Sequence, residues 1–233
     1  MGVVIIVAAL VWAFAPGVGW DLLGLRSRLG WPPQRSGEAL SSLPDGEAAR
    51  QLCALTVRDH DVESETPDYD RGEFGQRWAD TDHNGCDTRN DILARDLARP
   101  TFKEGTRGCV VLSGTLAEPY TGKTIEFRRG EKTSSLVQID HVVALADAWR
   151  AGAWQWEAGR RQEFANDPDN LLAVDGDANE DKSASAADRW LPPNAAFRCD
   201  YVKRQISVKS RYGLSVTRSE QDAMAQQLST CPG

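Results

Sequence analysis

Two short runs, Val137-Gln138-Ile139-Asp140-His141-Val142 and Leu171-Leu172-Ala173-Val174, read as β-strands, and what separates and follows them constrains the fold most. Between them, the stretch from Ala144 to Gly159 sets Trp149, Ala153 and Trp156 at helical spacing, which marks a helical insertion. After the second run, Asp175-Gly176 is a turn signal. Asp177-Ala178-Asn179-Glu180 then has the spacing of a capping box, opening a helix through about Trp190. The order is strand, insertion, strand, turn, helix.

The chain has 233 residues, 41% of them hydrophobic, enough for one packed domain with appendages. From Met1 to Ala15 it is almost wholly apolar, with no acidic residue before Asp21 and no basic one before Arg26. That stretch is short for a membrane span, and Ala13-Phe14-Ala15 has the small-x-small form of a cleavage site. Pro16 and the lack of a positive n-region oppose cleavage. Residues 1–25 are therefore expected to be a signal peptide or a membrane anchor, placing the protein outside the cell membrane, secreted or anchored. Residues 26–47, rich in Arg, Ser, Gly and Pro, read as a linker, and the folded domain is expected over 48–233 with its core at 137–190. Ahead of the core the sequence predicts a helix around Ala48 to Leu55, an irregular acidic stretch from Asp59 to Asp70 and a helix from Thr88 to Leu97. Strands are predicted from Cys109 to Gly114 and from Thr124 to Arg129, joined as a hairpin through Pro119-Tyr120-Thr121-Gly122.

Five cysteines, Cys53, Cys86, Cys109, Cys199 and Cys231, lack the C-x-x-C spacing of a zinc ribbon, and in an exported chain they read as disulfides. Sequence does not fix connectivity; pairing neighbours joins Cys86 to Cys109 and Cys199 to Cys231 and leaves Cys53 over. The net charge of -7 and pI near 5.1 argue against a nucleic-acid partner. Charge is unevenly spread, however: from Lys182 to Arg218 there are eight basic residues against two acids, a segment that reads either as phosphate-facing or as a solvated helix face.

Cutting a phosphodiester takes a nucleophilic water, a base for its proton and positive charge on the leaving oxygen. His141 at a strand end, Asp140 beside it and Asn179 in the first turn of a following helix supply these in one unit. Asp140 and the Asn179 carbonyl oxygen can hold a hard divalent ion, while His141, on the opposite strand face, reaches the water.

Asp140-His141-Val142-Val143, then Asp169-Asn170-Leu171-Leu172, then Asn179-x-x-Lys182 resembles the ββα-metal finger of HNH endonucleases. The likeness to secreted bacterial HNH-family nucleases extends from about Tyr69 to Cys231 and includes Ala148-Trp149, Phe164-Ala165-Asn166-Asp167-Pro168 and Trp190-Leu191-Pro192-Pro193. The resemblance implies that His141 activates the water, that Asp140 and Asn179 bind the metal, and that Asn170 pins the hairpin so that His141 is aimed. Lys182 would contact phosphate or support the helix. Many HNH proteins carry a second His where Asn179 stands, and Ser183 replaces an expected Gly. An Asn ligand favours Mg²⁺ or Mn²⁺ over Zn²⁺.

The expected fold is thus α+β: a ββα-metal core with N-terminal helices, a β-hairpin and a C-terminal helical segment tied down by Cys199 and Cys231. The expected function is metal-dependent hydrolysis of DNA, or of RNA, by a monomer with little sequence preference, touching membrane only through its N-terminal segment if that is uncleaved. Each residue also has an ordinary role: Asn170 in a turn, Asn179 in a cap, Lys182 on a solvated helix face. Trp149, Trp154, Trp156 and Trp190 read as core. A second motif, Asp80-x-Asp82-x-Asn84-Gly85 with Asp91 in the final position, matches a calcium loop except that Asp stands for the usual Glu. The rival function is a non-catalytic, calcium-stabilised extracellular binding protein on the same scaffold.

Overall fold

Helix α1 (Glu47–Ala54) is followed by α2 (Thr88–Asp96), which runs directly into β1 (Leu97–Phe102) of an antiparallel sheet completed by β2 (Val111–Ala117) and β3 (Thr124–Arg128). The computed structural model describes residues 40, 43–59 and 65–232, all within the unit Ser36–Gly233. The expected signal segment and most of the expected linker lie outside the described residues. Among the described residues no helix is long and apolar enough to cross a membrane.

The hairpin of β2 and β3 forms as expected, with Leu116 opposite Ile125 and Ser113 opposite Arg128. Strand β1 was not expected. Its register shifts between Ala98 and Thr101, around Arg99 at φ 51°, and Pro100 sits at this irregularity on an edge strand, where the missing N–H costs no ladder bond. That irregularity hides the period-2 pattern.

The second sheet is the antiparallel pair β4 (Val137–His141) and β5 (Leu171–Asp175), in a register that sets Ile139 opposite Ala173 and His141 opposite Leu171. Both faces are covered. Val137, Ile139, Leu171 and Ala173 pack against Ile92 and Leu93 of α2 and Val111 and Phe127 of the first sheet. On the opposite face, Val142, Leu172 and Val174 meet Leu52 of α1 together with Tyr201, Ile206 and Met224, from helices α6 (Arg198–Tyr212) and α7 (Arg218–Ser229). A fully buried Leu or Phe contributes about 1.5–3 kcal/mol, so this two-sided burial fixes the register. The insertion folds as α3 (Leu145–Arg150) and α4 (Ala158–Asn166), whose Trp149 and Phe164 form a third cluster with Phe74 and Tyr212. Trp149 is buried in the core as expected, whereas Trp154 and Trp156 are half-buried against that cluster and Trp190 against the second.

Helix α5 (Gly176–Lys182) departs from expectation at both ends. Asp175, not Asp177, caps it by accepting from the Ala178 N–H at 2.9 Å, and Gly176 starts it because a Cβ there would collide with the Ser135 carbonyl oxygen. Its end comes at Ser183, held at φ 50°, a conformation that favours Gly and explains why Gly is the expected residue there. Disulfides join Cys86 to Cys109 and Cys199 to Cys231, and Cys53 is free and exposed. The second bridge ties the start of α6 to the chain just beyond α7. By loop closure each contributes roughly 3–4 kcal/mol.

Candidate active site

Strand β4 alternates its side chains, so Gln138 and Asp140 share the face onto which α5 packs. On α5, Asn179 and Lys182 lie three residues apart on one side of the helix. Two cross-links result: the Asn179 amide donates to Gln138 Oε1 at 2.8 Å, and Lys182 Nζ donates to Asp140 Oδ1 at 2.9 Å. Lys182 is fully buried and also donates to the His141 carbonyl oxygen at 2.9 Å. The sequence offers Lys182 two roles, phosphate contact or support of the helix; here its ammonium points inward, to Asp140 and the His141 carbonyl.

Asp140 accepts a second hydrogen bond from the Tyr120 hydroxyl at 2.5 Å. Burial raises its pKa, against the opposing pull of Lys182 and Tyr120. Tyr120 itself is held by the buried Glu118, whose carboxylate accepts from the Tyr120 N–H at 2.7 Å. Sequence reading assigned Tyr120 only to a turn; the one signal was a large aromatic in a polar loop.

His141 ends β4 on the opposite face. Its Nε2 lies 2.8 Å from the Ala165 carbonyl oxygen, so Nε2 carries the hydrogen and Nδ1 keeps its lone pair. Nδ1 has no hydrogen-bond partner among the described residues. The ring stacks on Trp78 at 6.0 Å, and burial lowers the histidine pKa to about 3, so the imidazole is neutral. Just beyond the ladder, Asn170 accepts from the Val143 N–H at 2.8 Å, donates to its carbonyl at 3.2 Å, and accepts the Val142 N–H on its own carbonyl at 2.8 Å. These three bonds close the strand mouth immediately after His141.

Asp140, His141 and Asn179 open on one cleft of about 690 Å³. Arg71, Arg77 and Arg89 line the same cleft. Arg89 donates to the carbonyls of Ser134 and Val137, at 3.4 and 3.1 Å, and its pKa is lowered by burial and by the nearby Arg129 and Arg77. The basic segment singled out in the sequence is not the source of this charge: Lys209 is buried between Asp147 and Glu220, and Arg211 is paired with Asp167 and Asp169.

The loop of the calcium-like motif is brought together as well. Asn84 donates from its amide to Asp82 and Asp91, at 3.0 and 3.1 Å, and Asp80 accepts from the Gly85 N–H at 3.0 Å. One Asp80 oxygen, Oδ1, is buried with no hydrogen-bond partner. Among the described residues no group of three or more His, Cys, Asp or Glu side chains stands ready to hold a metal ion.

The chain is similar to an uncharacterized secreted protein of Arthroderma benhamiae, 36% identical over 193 residues that cover 82% of this chain and 88% of the relative. No solved structure is significantly similar to it. Residues 87–227, which carry Asp140, His141, Asn170 and Asn179, match the C-terminal domain of the GmrSD restriction endonucleases, and the chain therefore belongs to that family.

Proposed function

We propose that the chain is a metal-dependent HNH-type endonuclease, with β4, β5 and α5 as its ββα-metal core, that hydrolyses DNA, and RNA as a second substrate, with little sequence preference. The observation that carries this is a neutral His141 whose Nε2 is tied to Ala165 while Nδ1 is unpartnered, beside Asn179 on one cleft. Membership of a restriction endonuclease family supports it. The secreted relative and the two disulfides support an extracellular location.

In this reading Nδ1 takes the proton of the attacking water, and the Ala165 carbonyl holds the ring in the required tautomer. The donor set fits a hard divalent ion. Asn179 Oδ1 accepts no hydrogen bond among the described residues, and a carboxylate offers about four lone pairs, of which Tyr120 and Lys182 take two at Asp140. Asp140 and Asn179 would hold Mg²⁺ or Mn²⁺, which supplies positive charge to the scissile phosphate and the leaving oxygen. Because Lys182 already offsets the Asp140 charge, the ion is held weakly. Purified protein is expected to degrade plasmid in Mg²⁺ or Mn²⁺ and to stop in chelator; full nicking in excess chelator would sink the metal-dependent mechanism.

Calcium at the Asp80 loop is the second metal reading, favoured by the unpartnered Asp80 oxygen. A ligand that binds only the folded state stabilises it by mass action. Calcium is expected to raise the Tm of the parent and not of the Asp80→Ala, Asp82→Ala double variant, which retains residual cutting. An equal response in both removes the loop from consideration.

A further inference from the structure

We infer that Arg71, Arg77 and Arg89 form a track that seats the sugar-phosphate backbone of the substrate along the His141 cleft. The inference rests on the nuclease reading and adds three residues to it, two of which lie before the matched family region. All three line the cleft, and among the described residues none is in an ion pair. The one lining carboxylate, Asp140, is already matched by Lys182. Three inward-facing cations elsewhere, Lys182, Lys209 and Arg161, each have a carboxylate at 2.8–2.9 Å. An unmatched cluster of guanidinium groups in a concave site raises the local potential for anions, whatever the net charge of the molecule.

The placement is specific. The Arg77 guanidinium lies over the Trp78 ring, 5.5 Å from its centroid, and the His141 imidazole stacks on the same ring. Arg77 is thereby stationed one ring away from the catalytic base. Arg89 is fixed by two carbonyls that engage one of its terminal nitrogens, so donors remain for a phosphate. Three cations around one base match a chain of phosphates passing across the cleft better than a single small anion.

The test uses the full chain made inert by His141→Ala, with labelled DNA and RNA oligonucleotides, duplex and single-stranded, titrated at several salt concentrations without divalent ion. Arg71→Gln and Arg77→Gln are each expected to weaken binding by roughly 3- to 10-fold. Each should also flatten the plot of log K against log salt by about 0.9 on duplex or about 0.7 on a single strand, so the size of the change reports strandedness. Arg128→Gln, exposed on β3, should change neither. Arg89→Gln is scored only if its Tm matches the parent, since it also loses two structural hydrogen bonds; the other two variants decide the matter. Parental affinity and slope in the Arg71→Gln, Arg77→Gln double variant, or the same loss in Arg128→Gln, overturns the track. If the uninactivated chain cuts nothing yet binds with arginine-dependent slope, the track stands and the nuclease reading fails.

Discussion

Replacing His141 with alanine is expected to lower plasmid cutting by about 10²- to 10⁴-fold, the range for a positioned general base, with oligonucleotide binding unchanged. The ring makes one hydrogen bond, to Ala165, and stacks on Trp78, so the folding cost comes from that carbonyl, the lost stacking and a small cavity, about 1–3 kcal/mol. Asn179→Ala should fail differently. Its helix is still capped by Asp175, so the protein folds, but the divalent ion is held more weakly and cutting returns as Mg²⁺ is raised. Added imidazole should partly restore His141→Ala, because the space beside Trp78 admits a replacement base, and should do nothing for Asn179→Ala. Parental rates in both variants would place the chemistry elsewhere. If neither variant nor parent cuts any nucleic acid with any divalent ion, the binding-protein alternative takes over.

Strands β4 and β5 were legible because local pattern and burial agree there: alternation in Val137 to Val142 and a wholly apolar run in Leu171 to Val174 match a hairpin covered on both faces. Helix α2 and the β2–β3 hairpin were legible for the same reason. Strand β1 was not, because Pro100 and the left-handed Arg99 break the alternation. The start of α5 was misplaced by two residues: several Asp side chains are competent caps, and the approach of Ser135 to Gly176 that selects Asp175 is a tertiary contact. At the site, Asp140, His141, Asn170 and Asn179 fall in one motif whose order and spacing show in the sequence; Asp140, His141 and Asn179 line one cleft, and Asn170 closes the strand end after His141. Tyr120 and the three arginines lie outside that motif and join it only in space. Counting charge along the chain pointed to the segment from Lys182 to Arg218, yet two of its lysines face inward to carboxylates. Sequence gives the sign of a charge and not its direction.

Lys182→Met is expected to be the most destabilising single substitution at the site. Among the described residues Lys182 is the only cation paired with Asp140, and both are buried. Removing one member of such a pair leaves the other uncompensated, at a cost of about 3–5 kcal/mol, against a total stability of about 5–15 kcal/mol. The His141 carbonyl also loses its donor, so the strand end that aims the base loosens. The urea midpoint should fall with the m-value unchanged, and cutting should fall with it. The loss has a definite pH dependence. Burial already raises the Asp140 pKa, and without Lys182 it rises further, so the folded state resists ionisation that the unfolded chain undergoes near pH 3.9. The deficit relative to the parent is therefore small below about pH 3.9 and grows as pH rises to the folded-state pKa. Adding Asp140→Asn to Lys182→Met should recover part of the stability, because the uncompensated charge is gone, and on the proposed role of Asp140 as a metal ligand should recover none of the activity. A Lys182→Met protein with parental Tm and a reduced salt slope in binding would instead mean that the lysine reaches phosphate in solution.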